Sequence, residues 1–112
     1  MLYISNAFSL QMLGNPAFAT NIRVSTPWTV EEVKEYLNTH EFLSAVGHAD
    51  TAACLTNMLG VEIHNNRVNL TLTPDDKLFV AQVMGGRLPE GATTLPENVT
   101  IKFMMVTITY TI

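Results

Sequence analysis

Residues 44–60, SAVGHADTAACLTNMLG, decide how the rest of the chain is laid out. A Gly-His pair precedes a short segment in which Ala52, Leu55, Met58 and Leu59 recur at helical spacing, and Gly60 supplies a C-terminal cap. The pattern predicts a helix from His48 or Ala49 to about Leu59. Its first turn presents unpaired N–H groups and the positive end of the helix dipole beside His48, a setting suited to a phosphate.

Working outward from that helix, Glu41 to Val46 reads as a short helical turn broken at Gly47, where the chain changes direction. Upstream, Thr29 followed three residues later by Glu32 is a capping box, and Val30, Val33 and Leu37 continue at helical spacing to about Asn38. Met1 to Ile4 and Asn21 to Ser25 read as strands, the second ending before Pro27. The polar-studded stretch Ser5 to Ser9 leaves the first strand, a common position for binding residues. Downstream, Arg67 to Thr73 alternates as a half-buried strand. Pro74-Asp75-Asp76 is predicted to turn it into a hairpin with Lys77 to Met84.

Residues 85–91, GGRLPEG, form a loop by composition. Val99 to Ile112 is a long Thr-rich, β-branched strand, apolar at Val99, Ile101, Phe103 and Met105 on one face and at Met104, Val106, Ile108 and Tyr110 on the other. Both faces therefore call for cover. The expected fold is α/β (α+β): a mixed sheet of about five strands with helices packed against it, in one domain spanning residues 1–112, paired as a two-fold homodimer.

Composition narrows the function. Hydrophobic residues make up 47 % of the chain and charged residues 14 %, and the net charge is −4 with six Lys and Arg in all. A long-range basic footprint for duplex nucleic acid is missing, so an anionic ligand must be small and held locally. No apolar run is long enough to span a bilayer, and the N-terminus lacks a signal-peptide pattern. With the single cysteine, Cys54, this points to the cytoplasm and away from membranes.

The candidate chemistry centres on His48. A histidine at a helix mouth is often structural, but a bound phosphate would favour the protonated ring and make it a proton donor. Arg87 in the glycine-rich loop could clamp a phosphate bidentately, while Glu90 accepts a proton or hydrogen-bonds a ribose hydroxyl. Asn6 and Ser9 offer uncharged partners. A metal site fits poorly, because His40, His48 and His64 lie far apart with no paired cysteines or clustered carboxylates. A Cys–His nucleophile pair fits no better: Cys54, six positions from His48, points roughly 120° away around the helix. No cofactor is expected.

Residues 44–91 from SAVGH to RLPEG, together with the opening LYISNAFS, resemble the small viral anti-CRISPR ring nucleases. That resemblance implies a homodimer that binds cyclic tetra-adenylate, the messenger made by type III CRISPR complexes, and cuts it without metal into linear di-adenylate. Carried over by position, it implies that His48 is catalytic, with Glu90 and Arg87 from the RLPEG segment. Asn6, Ser9, Gly47 and Arg67 become substrate contacts, with Arg87 binding as well. Two other classes of function are compatible with the sequence: a module that sequesters a cyclic nucleotide without turnover, and a viral protein-interaction module.

Overall fold

Backbone hydrogen bonding organises the molecule around two adjacent central strands, whose paired residues, such as Leu2 and Lys77, lie 75 positions apart in sequence. The computed structural model describes residues 1–16 and 19–111. Strand β1 (Leu2–Ser5) pairs in parallel with β4 (Lys77–Met84), and the full order is β2-β5-β4-β1-β3 in one mixed sheet. Strand β5 (Thr100–Thr111) runs antiparallel to β4 and to β2 (Ala19–Trp28). The five-stranded mixed sheet with two helices is the architecture expected from the sequence. Among the described residues, no helix is long and apolar enough to cross a membrane.

Helix α1 (Val30–Thr39) begins at the predicted capping box. The Thr29 hydroxyl accepts from the Glu32 N–H at 3.1 Å and the Glu32 carboxylate from the Thr29 N–H at 2.9 Å, satisfying two otherwise orphaned donors. Helix α2 (Ala49–Leu59) ends at Gly60, whose φ of 67° closes the last turn through its N–H to the Thr56 carbonyl. Both helices lie on one face of the sheet. There Ala52, Leu55 and Leu59 pack with Val33, Leu37, Ile4, Phe79 and Phe103 in one buried cluster.

The two faces of β5 are both covered, as its alternation predicts. Phe103 and Met105 join the helix-side core, whereas Val106 and Ile108 join a second cluster with Leu72, Leu78 and Val80. Partly buried Phe8, Met12, Leu13 and Leu70 close over that second cluster, Phe8 from the loop after β1, Met12 and Leu13 from a 3₁₀ turn at Leu10–Leu13, and Leu70 from the connection before β4. The last position of the predicted C-terminal strand, Ile112, lies outside the described residues, as do residues 17 and 18.

Three sequence expectations need correction. Glu41 to Val46 is not helical: Phe42–Ser44 forms β3, paired in parallel with β1 through Leu2↔Phe42 and Ile4↔Ser44. The N–H and C=O groups on that side of β1 need partners, and this segment supplies them, as does the Ala45 N–H to the Ile4 carbonyl at 2.7 Å.

Arg67 to Thr73 does not join the sheet, because β4 is already paired on both edges. Its alternation survives only as burial, with Val68 exposed and Leu72 buried over the second core. Pro74-Asp75-Asp76 is therefore a turn that delivers the chain to β4, not the turn of a hairpin. It is tied by the Asp76 carboxylate to the Thr73 N–H at 2.9 Å and to the N-terminal ammonium at 3.2 Å.

Finally, β2 continues through Pro27 to Trp28, with a register shift between Ser25 and Trp28. Proline offers no ladder donor, and β2 is an edge strand with a bulge, where that loss is tolerated.

Candidate functional site

The N-terminal end of α2 is built without a side-chain cap. His48 is the N-cap residue, extended at φ −126° and ψ 126°; its carbonyl accepts from the Ala52 N–H at 3.0 Å while its ring makes no capping bond. The exposed imidazole is thus available at the helix mouth. The other two histidines are placed elsewhere. His40 stacks on Tyr36 with ring centroids 4.0 Å apart, and His64 lies at the surface beside Glu62. Among the described residues, no three His, Cys, Asp or Glu side chains gather where they could hold a metal.

His48 stands between two recesses. A cleft of about 430 Å³ is lined by His48, Asn6 and Arg87, with Asp50, Thr51 and Gln82 among its other walls. A smaller recess of about 200 Å³ is lined by His48, Asn6, Gly47 and Arg67. Two of the six cationic side chains of an acidic chain therefore flank one histidine. Neither guanidinium is in an ion pair among the described residues, where the ion pairs are Met1–Asp76 and His64–Glu62. Arg87 and Arg67 are both exposed and can receive an anion.

Asn6 leaves β1 at the seam between the recesses. Its Oδ1 accepts from the Gly47 N–H at 3.2 Å, which fixes the Gly-His pair against the end of β1 and leaves the Asn6 amide NH₂ as a donor. Gly47 has a steric reason to be small: a Cβ there would meet Arg67 Cγ at 3.2 Å, so the Arg67 stem lies across the glycine.

Two of the predicted site residues stand apart. Ser9 caps the 3₁₀ turn, its hydroxyl accepting from the Gln11 N–H at 3.2 Å, and it lines neither recess. Glu90 is exposed on the same loop as Arg87 but is not among the residues lining the cleft. Within one chain, the structure brings His48, Arg87, Asn6, Gly47 and Arg67 together and leaves Ser9 and Glu90 outside.

Sequence reasoning missed Asp50, Thr51 and Gln82. Gln82 carried a legible signal, since it is a polar side chain within the apolar run of β4. Asp50 and Thr51 also carried one, because both fall in the first turn of the helix that His48 opens. The Asp50 carboxylate accepts from the Gly91 N–H at 2.8 Å and so ties the Arg87 loop to α2.

Comparison with known proteins agrees with this architecture. A family model described as STIV B116-like matches residues 2–108. "Uncharacterized protein 26" of Sulfolobus islandicus filamentous virus (isolate Iceland/Hveragerdi) is 40 % identical over 91 residues, covering 81 % of this chain and 74 % of that protein. The structure of B116 of Sulfolobus turreted icosahedral virus superposes with a TM-score of 0.72 at 21 % identity, over 95 % of this chain and 97 % of that one, and so shares the fold. With nearly its whole length matched by the family model and a viral relative at this identity, the chain belongs to the STIV B116-like family.

Proposed function

We propose that this protein is a metal-independent ring nuclease of the host-cell cytoplasm. It acts as a homodimer that binds cyclic tetra-adenylate and cleaves it to linear di-adenylate, thereby suppressing type III CRISPR signalling. The observation that carries the reading is the placement of His48 between two recesses that hold Arg87 and Arg67. A phosphodiester lying across the helix mouth meets a proton donor, two guanidiniums and the Asn6 amide at once. That combination is what phosphoryl transfer needs in order to orient the group and balance its developing charge.

The chemistry follows from the ring itself. A ribose 2′-oxygen attacks its adjacent phosphorus, the P–O5′ bond breaks, and a 2′,3′-cyclic phosphate forms. His48 gives its proton to the departing 5′-oxygen. Arg87 steadies the charge on the non-bridging oxygens. The 2′-hydroxyl proton passes to water or to Glu90, which must then reach the site from its exposed loop position or from a partner subunit.

A cleft of about 430 Å³ is of small-molecule size but holds only part of a four-nucleotide ring. A two-fold ring shared across a two-fold dimer resolves the mismatch, with each His48 facing one of two opposite phosphates. An apolar groove lined by Phe8, Val24, Val80 and Met104 adjoins Asn6 and Gln82 on the sheet face away from the helices. It gives a second copy a surface to cover.

One observation favours a second reading: Glu90, the carboxylate that the reaction would use beside His48, is not among the residues lining the cleft. On that reading the protein sequesters the messenger uncut. Incubation of the purified protein with cyclic tetra-adenylate in chelator, followed by chromatography, separates the two. Linear di-adenylate ending in 2′,3′-cyclic phosphate supports the nuclease, and a stoichiometric complex with intact ring supports sequestration. Intact ring with no complex contradicts both.

A further inference from the structure

Three side chains on successive turns of α2 hold the backbone of a single loop. Asp50 Oδ1 accepts from the Gly91 N–H at 2.8 Å, the Cys54 thiol donates to the Ala92 carbonyl at 3.8 Å, and Asn57 Nδ2 donates to the Thr93 carbonyl at 2.6 Å. Positions 50, 54 and 57 fall on one face of a helix, and their partners are consecutive in sequence, so the loop runs along α2 like a strap. Burial, and then the charge of Asp50, push the Cys54 thiol up, which keeps it protonated and able to donate.

The first of these bonds stands nearest the cleft. Asp50 is the second residue of α2, where the helix dipole favours a carboxylate, and a charged acceptor makes the bond to Gly91 stronger than a neutral one. Asp50 also lines the cleft. A carboxylate there repels a phosphate, so attraction of the ligand does not explain it. What it does have is the N–H of a residue four positions after Arg87, on the loop that brings Gly86, Arg87 and Leu88 to the same cleft.

We infer that Asp50 is a positioning residue: by accepting the Gly91 N–H it anchors the Arg87 loop to the first turn of α2 and sets where the guanidinium stands relative to His48. The part of this inference that concerns turnover rests on the proposed nuclease reading. The anchoring part does not.

Amide hydrogen exchange over residues 86–93 in the ligand-free protein tests the anchor directly, in wild type, Asp50→Ala, Asp50→Asn and Asn57→Ala. Removing the acceptor in Asp50→Ala is expected to raise exchange at Gly91 by about tenfold or more, whereas Asp50→Asn keeps a neutral oxygen acceptor and raises it by clearly less. Asn57→Ala, at the far end of the strap, is expected to loosen Ala92 and Thr93 and leave Gly91 nearly unchanged. It also keeps the strap testable if Asp50→Ala does not fold. Unchanged exchange at Gly91 in Asp50→Ala, or no loosening in Asn57→Ala, overturns the anchor.

Cleavage of cyclic tetra-adenylate then tests the consequence. Asp50→Ala should lower kcat by roughly 10- to 100-fold, as misplacement of a charge-stabilising group does, and Asp50→Asn should restore most of it. A freed loop with unchanged kcat, or Asp50→Asn as slow as Asp50→Ala, overturns the positioning role. If the wild type leaves the ring uncut, it is the nuclease reading that fails, while the exchange result still decides the anchor.

Discussion

Gly85 and Gly91 bracket the loop that carries Arg87, and replacing each with alanine separates two kinds of strain. Gly85 follows β4 at φ +89°, and a Cβ there would fall 2.1 Å from the Asn98 carbonyl oxygen and 3.3 Å from its carbon. Carbon–oxygen contacts settle at about 3.3 to 3.6 Å, so the overlap exceeds 1 Å by that measure. Asn98 cannot simply retreat. The next residue is held by the Val99 N–H to the Pro96 carbonyl at 3.1 Å, and Met84 and Thr100 are paired across the ladder. Gly91 has a similar φ, +79°, with nothing within 4 Å of a Cβ. Gly91→Ala therefore carries the dihedral cost alone, about 1 to 2 kcal/mol. Gly85→Ala carries that cost plus a backbone displacement comparable to overpacking, for a total of about 3 kcal/mol or more. Urea unfolding at one fixed protein concentration reads both. At an m-value of about 1.5 kcal/mol/M, the midpoint should fall by roughly 2 M for Gly85→Ala and by about 1 M for Gly91→Ala. Equal falls would refute the claim that the Asn98 carbonyl, and not the dihedral alone, reserves position 85 for glycine.

Two further predictions concern stability. Leu55 is fully buried between α2 and the sheet, so Leu55→Ala should cost about 2 to 5 kcal/mol and lower Tm by roughly 10 °C; a loss under about 1 kcal/mol would mean that α2 is not seated as described. Burial pushes the Asp76 carboxyl up, but the bonds from Thr73 and the N-terminal ammonium outweigh it and hold the group below the usual carboxylate range. A lowered folded-state value stabilises the protein above the unfolded carboxylate's titration near pH 4, and that contribution is lost as pH falls further. Thermal melts of wild type and Asp76→Asn should differ most near pH 6 and draw together as pH falls through the lowered folded-state value, and a gap that widens in acid would contradict the assignment.

How far the sequence reveals the fold depends on how local each signal is. Both helices are legible because their start and stop signals lie within a few residues: Thr29 with Glu32 for α1, and Gly60 for α2. The two-sided burial of β5 can likewise be read from its own alternation. Strand β3 cannot, because three residues carry little periodicity and their pairing with Leu2 to Ile4 is made 40 residues away. The stretch from Arg67 to Thr73 shows the reverse case. Its period of two is real and buries Leu72, yet whether it joins the sheet depends on a free strand edge, which β1 and β5 have already taken.

The site divides in the same way. His48 at a helix mouth is a local reading, and the structure sets Arg87, Arg67 and Asn6 around it. The bond from Asp50 to Gly91 spans 41 residues and leaves no mark in sequence spacing. Ser9 illustrates how a polar residue in a promising loop can be taken up locally, here by capping the next turn.

The central claim is that His48 delivers a proton to a bound phosphodiester, and single-turnover cleavage of cyclic tetra-adenylate in chelator, with ring binding measured in parallel, tests it most directly. Wild type should convert the ring to linear di-adenylate, and His48→Ala should bind it with similar affinity while cutting it about 10²-fold or more slowly. If His48→Ala instead cleaves at the wild-type rate, or loses binding and rate in equal measure, His48 is not the proton donor.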